Sequence, residues 1–255
     1  MRKFFKILGI IIGIILIIII GIGVYGHFKG KKMIKNAQEH SRKIENFEST
    51  DSDEYMEYSV RFNKAGDFKK GFKYLDKAVE LNPSLHLGYR GWIRLRKIRD
   101  FDKALIDFDK LDILTPNFID APWGENIDFL RGECYFGKKD YLKAIELFNR
   151  SIENQKEDWA DIHSFVYLGL CEYELGNYEK ANTEFLRALK QSKYTPESFF
   201  GMAKAYYKLG YIEKAKENIL KAEENIAYKR EDVYNEFLNE IYLSEILEFK
   251  QQLNK

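Results

Sequence analysis

The sequence predicts an all-α chain of five similar helical hairpins, and three observations carry that prediction. First, the string GNYEKANTEFLRA at 176–188 recurs as GDFKKGFKYLDKA at 66–78, RDFDKALIDFDKL at 99–111, KDYLKAIELFNRS at 139–151 and GYIEKAKENILKA at 210–222. Ala181, Phe185 and Ala188 share one helix face by their spacing, and the equivalent first positions are Gly71, Ala104, Ala144, Ala181 and Ala215, separated by 33, 40, 37 and 34 residues. A period near 34 that tolerates short insertions marks a helical repeat array. Second, the stretch ahead of each string is itself helical in pattern, with a small residue (Ser59, Gly132, Gly169, Ala203) on an apolar or aromatic face. Third, the chain has only four prolines, as a mostly helical chain requires.

The N-terminal end reads differently. Ile7 to Tyr25 carries no charge, and a helix of that length spans about 28 Å, close to the hydrocarbon thickness of a bilayer. This predicts a transmembrane anchor within residues 1–32, with the span at about 7–25. A cleavable signal peptide is the alternative, but the run is long for one and no A-x-A site follows it. Orientation stays open. Arg2, Lys3 and Lys6 favour repeats outside, whereas Lys29, Lys31, Lys32 and Lys35 favour the reverse. The short, translocation-like tail tips the reading towards repeats outside. Gly9 and Gly13 have the GxxxG spacing through which two such helices can pair weakly. Residues 33–51 read as a basic juxtamembrane linker or helix, with Ile34, Ala37, Ser41, Ile44 and Phe47 at helical spacing. Asp51 followed by Glu54 reads as an N-cap with an acid in the first turn.

The hairpins follow as 52–84, 85–118, 125–158, 162–195 and 196–229. The second departs from the pattern, with Trp92, Arg94, Arg96, Lys97 and Arg99 in its first helix and an extra residue before its turn. The inserted loop IDAPWG at 119–124 explains the long step of 40. Thr195-Pro196-Glu197 opens the fifth as cap, proline at the first helical position, and acid. Residues 230–255 read as a C-terminal capping helix, with Val233, Phe237, Ile241 and Leu247 apolar; a terminal helix covers the exposed end of a solenoid. Over 52–229 these residues together resemble the tetratricopeptide repeat family, whose small first-helix residue lies where two helices approach closely. The resemblance implies a right-handed α-solenoid that binds other proteins and does no chemistry.

Charge and motif content restrict the function. The net charge is +1, but residues 1–35 hold seven basic residues and no acid, so the remainder carries −6. That argues against a nucleic-acid surface, which needs a basic stripe. Cys134 and Cys171 read as buried small hydrophobes. The four histidines are scattered, no Cys/His spacing suits a metal, and no Walker or GxSxG motif occurs. No enzyme, cofactor or metal is therefore expected. Asp107/Asp109 and Glu223/Glu224 read as solvated charge on outer helix faces. The resemblance places a partner-binding groove on the first helices: Met56, Val60 and Asn63; Phe129, Glu133 and Phe136; Val166, Leu170 and Tyr173; Phe200, Lys204 and Tyr207. The Lys/Asn/Arg set that grips chaperone C-terminal carboxylates is missing there. An apolar groove suits an amphipathic helix or an extended apolar segment, and the chain's own Ile34–Phe47 is a candidate to occlude it. The alternative function is a self-associating structural component of the cell envelope.

Overall fold

The computed structural model describes Tyr25 and residues 28–33, 47–232 and 235–254. The chain divides into residues 1–50 and 51–255. In the first unit residues 28–33 are helical. The expected membrane span, apart from Tyr25, the Gly9/Gly13 pair and most of the juxtamembrane segment lie outside the described residues. Among the described residues no helix is long and apolar enough to cross a membrane.

The second unit holds eleven α-helices and, among the described residues, no strand. They form five hairpins, α1 (Ser52–Lys64) with α2 (Phe68–Leu81), α3 (Pro83–Ile93) with α4 (Phe101–Leu114), α5 (Ile127–Gly137) with α6 (Tyr141–Gln155), α7 (Ile162–Glu174) with α8 (Tyr178–Gln191), and α9 (Pro196–Lys208) with α10 (Ile212–Glu224), followed by α11 (Leu243–Leu253). The two helices of each hairpin pack on one another, the second helix of each hairpin packs on the first of the next, and α11 packs on α10. The small first-helix residues are what let the mates approach. A Cβ added at Gly132 would meet the ring of Phe148 at 2.6 Å, and one at Gly169 the ring of Phe185 at 2.5 Å.

The turns inside the hairpins share one construction. Asp67, Asp100 and Asp140 each accept a hydrogen bond from the backbone N–H three residues on, capping α2, α4 and α6. The residue before the cap is left-handed in every hairpin: Gly66, Arg99, Lys139, Gly176 and Gly210. The second hairpin has its extra residue here. Gly91 and Phe108 are 17 residues apart, against 16 for the Gly132–Phe148 and Gly169–Phe185 pairs. The insertion is absorbed as a π-turn over Arg94–Ile98, the usual way a helix accommodates one added residue.

Two expectations are corrected. Residues 230–255 are not one helix: the described chain before Leu243 is non-helical, and only Leu243–Leu253 is helical. Phe237, Asn239 and Ile241 are buried, with less buried neighbours between them, and a turn falls at residues 238–239. Their contacts with the hairpins outweigh the helical spacing seen in the sequence. Asp107 is also not solvated. It has no exposed surface and takes Arg90 at 2.8 Å and Arg94 at 2.5 Å, clamping α4 to α3 and its π-turn extension. Cys134 and Cys171 are buried and unpaired.

Lys139 stands with φ 62° where three sister turns have glycine. A left-handed conformation costs an L-residue about 1 kcal/mol or more, so Lys139→Gly is expected to stabilise the chain by about 1 kcal/mol. Urea denaturation checks this, and an unchanged or lower midpoint contradicts it.

Candidate functional site

The first helices of the hairpins, α1, α3, α5, α7 and α9, line one wall, and the described residues 229–232 and 235–242 lie across it as a strap. Three side chains hold the strap. The Arg230 backbone N–H donates to Glu197 Oε1 at 2.6 Å, and its guanidinium donates to Glu125 Oε1 at 3.0 Å. The same guanidinium lies 5.4 Å from the Phe129 ring centre and 3.7 Å from that of Phe237. Phe237 in turn has the Arg96 guanidinium at 4.9 Å, so its ring sits against two cations. Asn239 Nδ2 lies 3.0 Å from His163 Nδ1.

Under the strap is a buried ion network. Arg96, with no exposed surface, reaches Glu133 at 2.5 Å and Glu125 at 2.6 Å. Tyr167 donates its hydroxyl to Glu133 Oε1 at 2.7 Å, and Trp92 Nε1–H donates to Glu125 Oε2 at 3.0 Å. Burial works against the Arg96 charge, but Glu133 and Glu125 outweigh it and hold the guanidinium's pKa above its ordinary value. Burial raises the Glu125 carboxyl, with Arg96 and Arg230 opposing. Burial also raises Glu197 and lowers Lys204. His163 is pushed down to about 3, by burial first and then by the charges of Arg230 and Arg96.

The strap divides the wall. Towards the C-terminal end, Leu238 to Ile241 close over Phe136, Leu170, Phe200 and Lys204, leaving a cavity of about 140 Å3. Towards the N-terminal end an open cleft of about 820 Å3 remains, lined by Val60, Asn63 and Lys64 of α1, Tyr89 and Trp92 of α3, Trp123, Glu125 and the strap. Tyr89, Trp92 and Trp123 pack there with ring centres 5.2 to 6.3 Å apart. Trp123 is 57% exposed and stands at φ 54°.

The groove residues expected from the sequence therefore have unlike positions. Val60 and Asn63 line the open cleft. Met56 lines a separate recess with His86 and Phe118. Phe129, Phe136, Leu170, Phe200 and Lys204 come together beneath the strap. Glu133 and Val166 are fully buried, Glu133 in the ion network and Val166 in the core. Tyr173 takes the Lys204 ammonium at 5.6 Å, and the half-buried Tyr207 meets Phe249 and Gln252 of α11. The candidate occluding segment Ile34–Phe47 lies, apart from Phe47, outside the described residues, and residues 229–232 and 235–242 lie on the wall. Sequence reasoning missed Glu125, Arg230, Phe237 and His163. The available signal was the irregular second hairpin, whose extra residue accompanies Arg96.

Among the described residues no cluster of His, Cys, Asp and Glu suits a metal ion. Two measurements probe the network. Arg96→Met leaves Glu133 buried without its cation and is expected to cost about 3–5 kcal/mol, most of it regained in Arg96→Met/Glu133→Leu; chemical denaturation of the single and double variants checks this. The unfolded chain protonates His163 near 6.5 and the folded chain only near 3, so its contribution is complete above pH 6.5 and is lost as pH falls below that. The melting temperature of His163→Gln is expected to fall less between pH 7 and 5 than that of the parent chain.

Comparison with known proteins agrees with this architecture. The family model described as "Tetratricopeptide repeat" matches residues 129–158 and 196–225, and that described as "TPR repeat" matches 169–210. A curated relative, the RNA polymerase-associated protein CTR9 of Caenorhabditis elegans, is 29% identical over 119 residues, which are 46% of this chain and 10% of that protein. A tetratricopeptide repeat protein from Parabacteroides merdae has a similar structure, with TM-score 0.61 and 18% identity over 79% of this chain and 72% of that one. YrrB, described as a TPR protein with an unusual peptide-binding site, matches with TM-score 0.53 and 19% identity over 73% of this chain and 91% of that one. Residues 129–158 and 169–225 thus match tetratricopeptide repeat models, and the solved structures share the all-helical, solenoid-like fold.

Proposed function

We propose that this chain is a membrane-tethered scaffold that receives a segment of another protein on its first-helix wall, entering at the open cleft beside Tyr89, Trp92 and Trp123. The observation that carries this reading is the cleft itself. It is large, mixed aromatic and charged, and continuous with a wall that already accommodates a non-helical stretch of polypeptide. Exposed Trp123, held in a left-handed backbone conformation, supports it, because such strain persists where the surroundings impose it and clusters at functional sites. Tyrosine and tryptophan suit the role of anchors in a protein interface. YrrB, similar in fold, is described as having a peptide-binding site. The uncharged run at 7–25 supports the tether, with the repeats on the outer side.

A photo-reactive phenylalanine analogue at position 123, compared with the same group at Trp159, tests the site in native membranes. Trp159 is 82% exposed and outside the cleft. The expected result is a discrete adduct from position 123 and none from 159, with the adduct abolished by Tyr89→Ala. Equal adducts from both positions, or an adduct at twice the chain's own mass, would replace this reading with non-specific contact or self-association respectively.

A further inference from the structure

We infer that the strap, through its described residues 229–232 and 235–242, is an internal ligand of the wall, exchanging with a partner segment of the same chemistry: a non-helical stretch that brings an arginine to Glu125 and an aromatic ring to Arg96. This rests on the wall being a binding surface and adds what binds there and what must leave first.

Charge points to the arginine. Without the strap, Arg96 faces two carboxylates, Glu125 and Glu133, leaving the cluster one positive charge short. Arg230 supplies that charge at 3.0 Å, and burial of unbalanced charge is costly. A replacement segment therefore needs a cation at this place. Guanidinium fits better than ammonium, because a planar cation can stack on Phe129 while donating to Glu125. Geometry points to the aromatic. Phe237 fills the space between the Arg96 and Arg230 guanidinium groups, and only a flat ring offers a face to each.

The strap is also imperfectly seated. Arg230 Nη1, Asn239 Oδ1 and Glu197 Oε2 are buried without a hydrogen-bond partner, and each such atom forfeits free energy relative to a fully paired one. The strap is tied down by side chains rather than by helix or sheet ladders. Both ends are fixed elsewhere: α10 stops before it and α11 packs back on α10 after it. The strap can therefore leave the wall without the terminal helix coming away.

The probe is a fluorescein-labelled peptide of residues 229–242, KREDVYNEFLNEIY, measured by anisotropy against the full chain and against a chain whose residues 229–241 are replaced by an equally long Gly/Ser linker. The peptide is expected to bind the replaced chain at least about tenfold more tightly than the intact chain, and a peptide carrying Arg230→Ala to lose about tenfold or more. Equal binding to both chains overturns the inference. So does no binding to a replaced chain that retains its helical circular dichroism and cooperative melt. Hydrogen exchange on the unmodified chain keeps the test decisive where the replaced chain fails to fold: the amides of Arg230 and Phe237 are expected to exchange about a hundredfold faster than those in the middle of α9, and equal protection overturns the inference. Failure of peptide binding with the Trp123 adduct retained removes the internal ligand alone, whereas loss of both removes the binding wall.

Discussion

A guanidinium with no exposed surface, held between two carboxylates, is the constraint on which the wall depends. Arg96 comes from the second hairpin, Glu133 from the third, and Glu125 from the loop between them. Tyr167 ties the fourth to the same carboxylate, and Arg230 ties the strap. Apolar contacts alone would let neighbouring hairpins slide by small amounts, since one leucine contact resembles another. A buried ion pair tolerates no such slip, because a displaced partner leaves a charge in low dielectric. The network therefore contributes little net stability but fixes where three hairpins stand. It also explains the irregular second hairpin. A π-turn is a poor helix turn, and this one sits at the residue that must meet Glu133.

The solenoid was legible in the sequence because its determinants are local. Gly132 and Phe148, and Gly169 and Phe185, recur at one spacing because an aromatic ring lies against a missing Cβ in each hairpin. The caps at Asp67, Asp100 and Asp140 sit at one place in the repeated string. The strap was not legible for the opposite reason. Phe237, Leu238 and Ile241 fit a helical stripe as well as a non-helical segment, and what decides between them is a set of partners up to 105 residues away. Asp107 shows the same limit at smaller scale. Nothing in DFD at 107–109 distinguishes a clamped aspartate from a solvated one, and only Arg90 and Arg94 on the facing helix settle it. The wall positions taken from the family pattern fell into three kinds: open to the cleft, set against the strap or α11, and sealed inside. Helical phase predicts which side of a helix a residue faces, but not whether something else already lies there.

The two halves of the wall differ in what they ask of an incoming chain. At the cleft the aromatic surface is already assembled: Tyr89, Trp92 and Trp123 pack on one another, so a partner meets a preorganised face and loses little freedom there. Beyond Glu125 the wall is covered by Arg230 and Phe237, which the proposed partner segment would have to displace. A segment that engages the open aromatic face is held beside the strap, which raises its effective concentration for the exchange. On the proposed exchange, contact at the cleft comes first and is sensitive to shape, and replacement at Glu125 comes second and is sensitive to charge. A segment with the right aromatic residues and no cation would stop at the first stage, because leaving Glu125 and Glu133 with Arg96 alone is costlier than leaving the strap in place. Selectivity would then lie in the ion network rather than in the larger apolar surface, since the cleft admits many chains and the charge cluster accepts few.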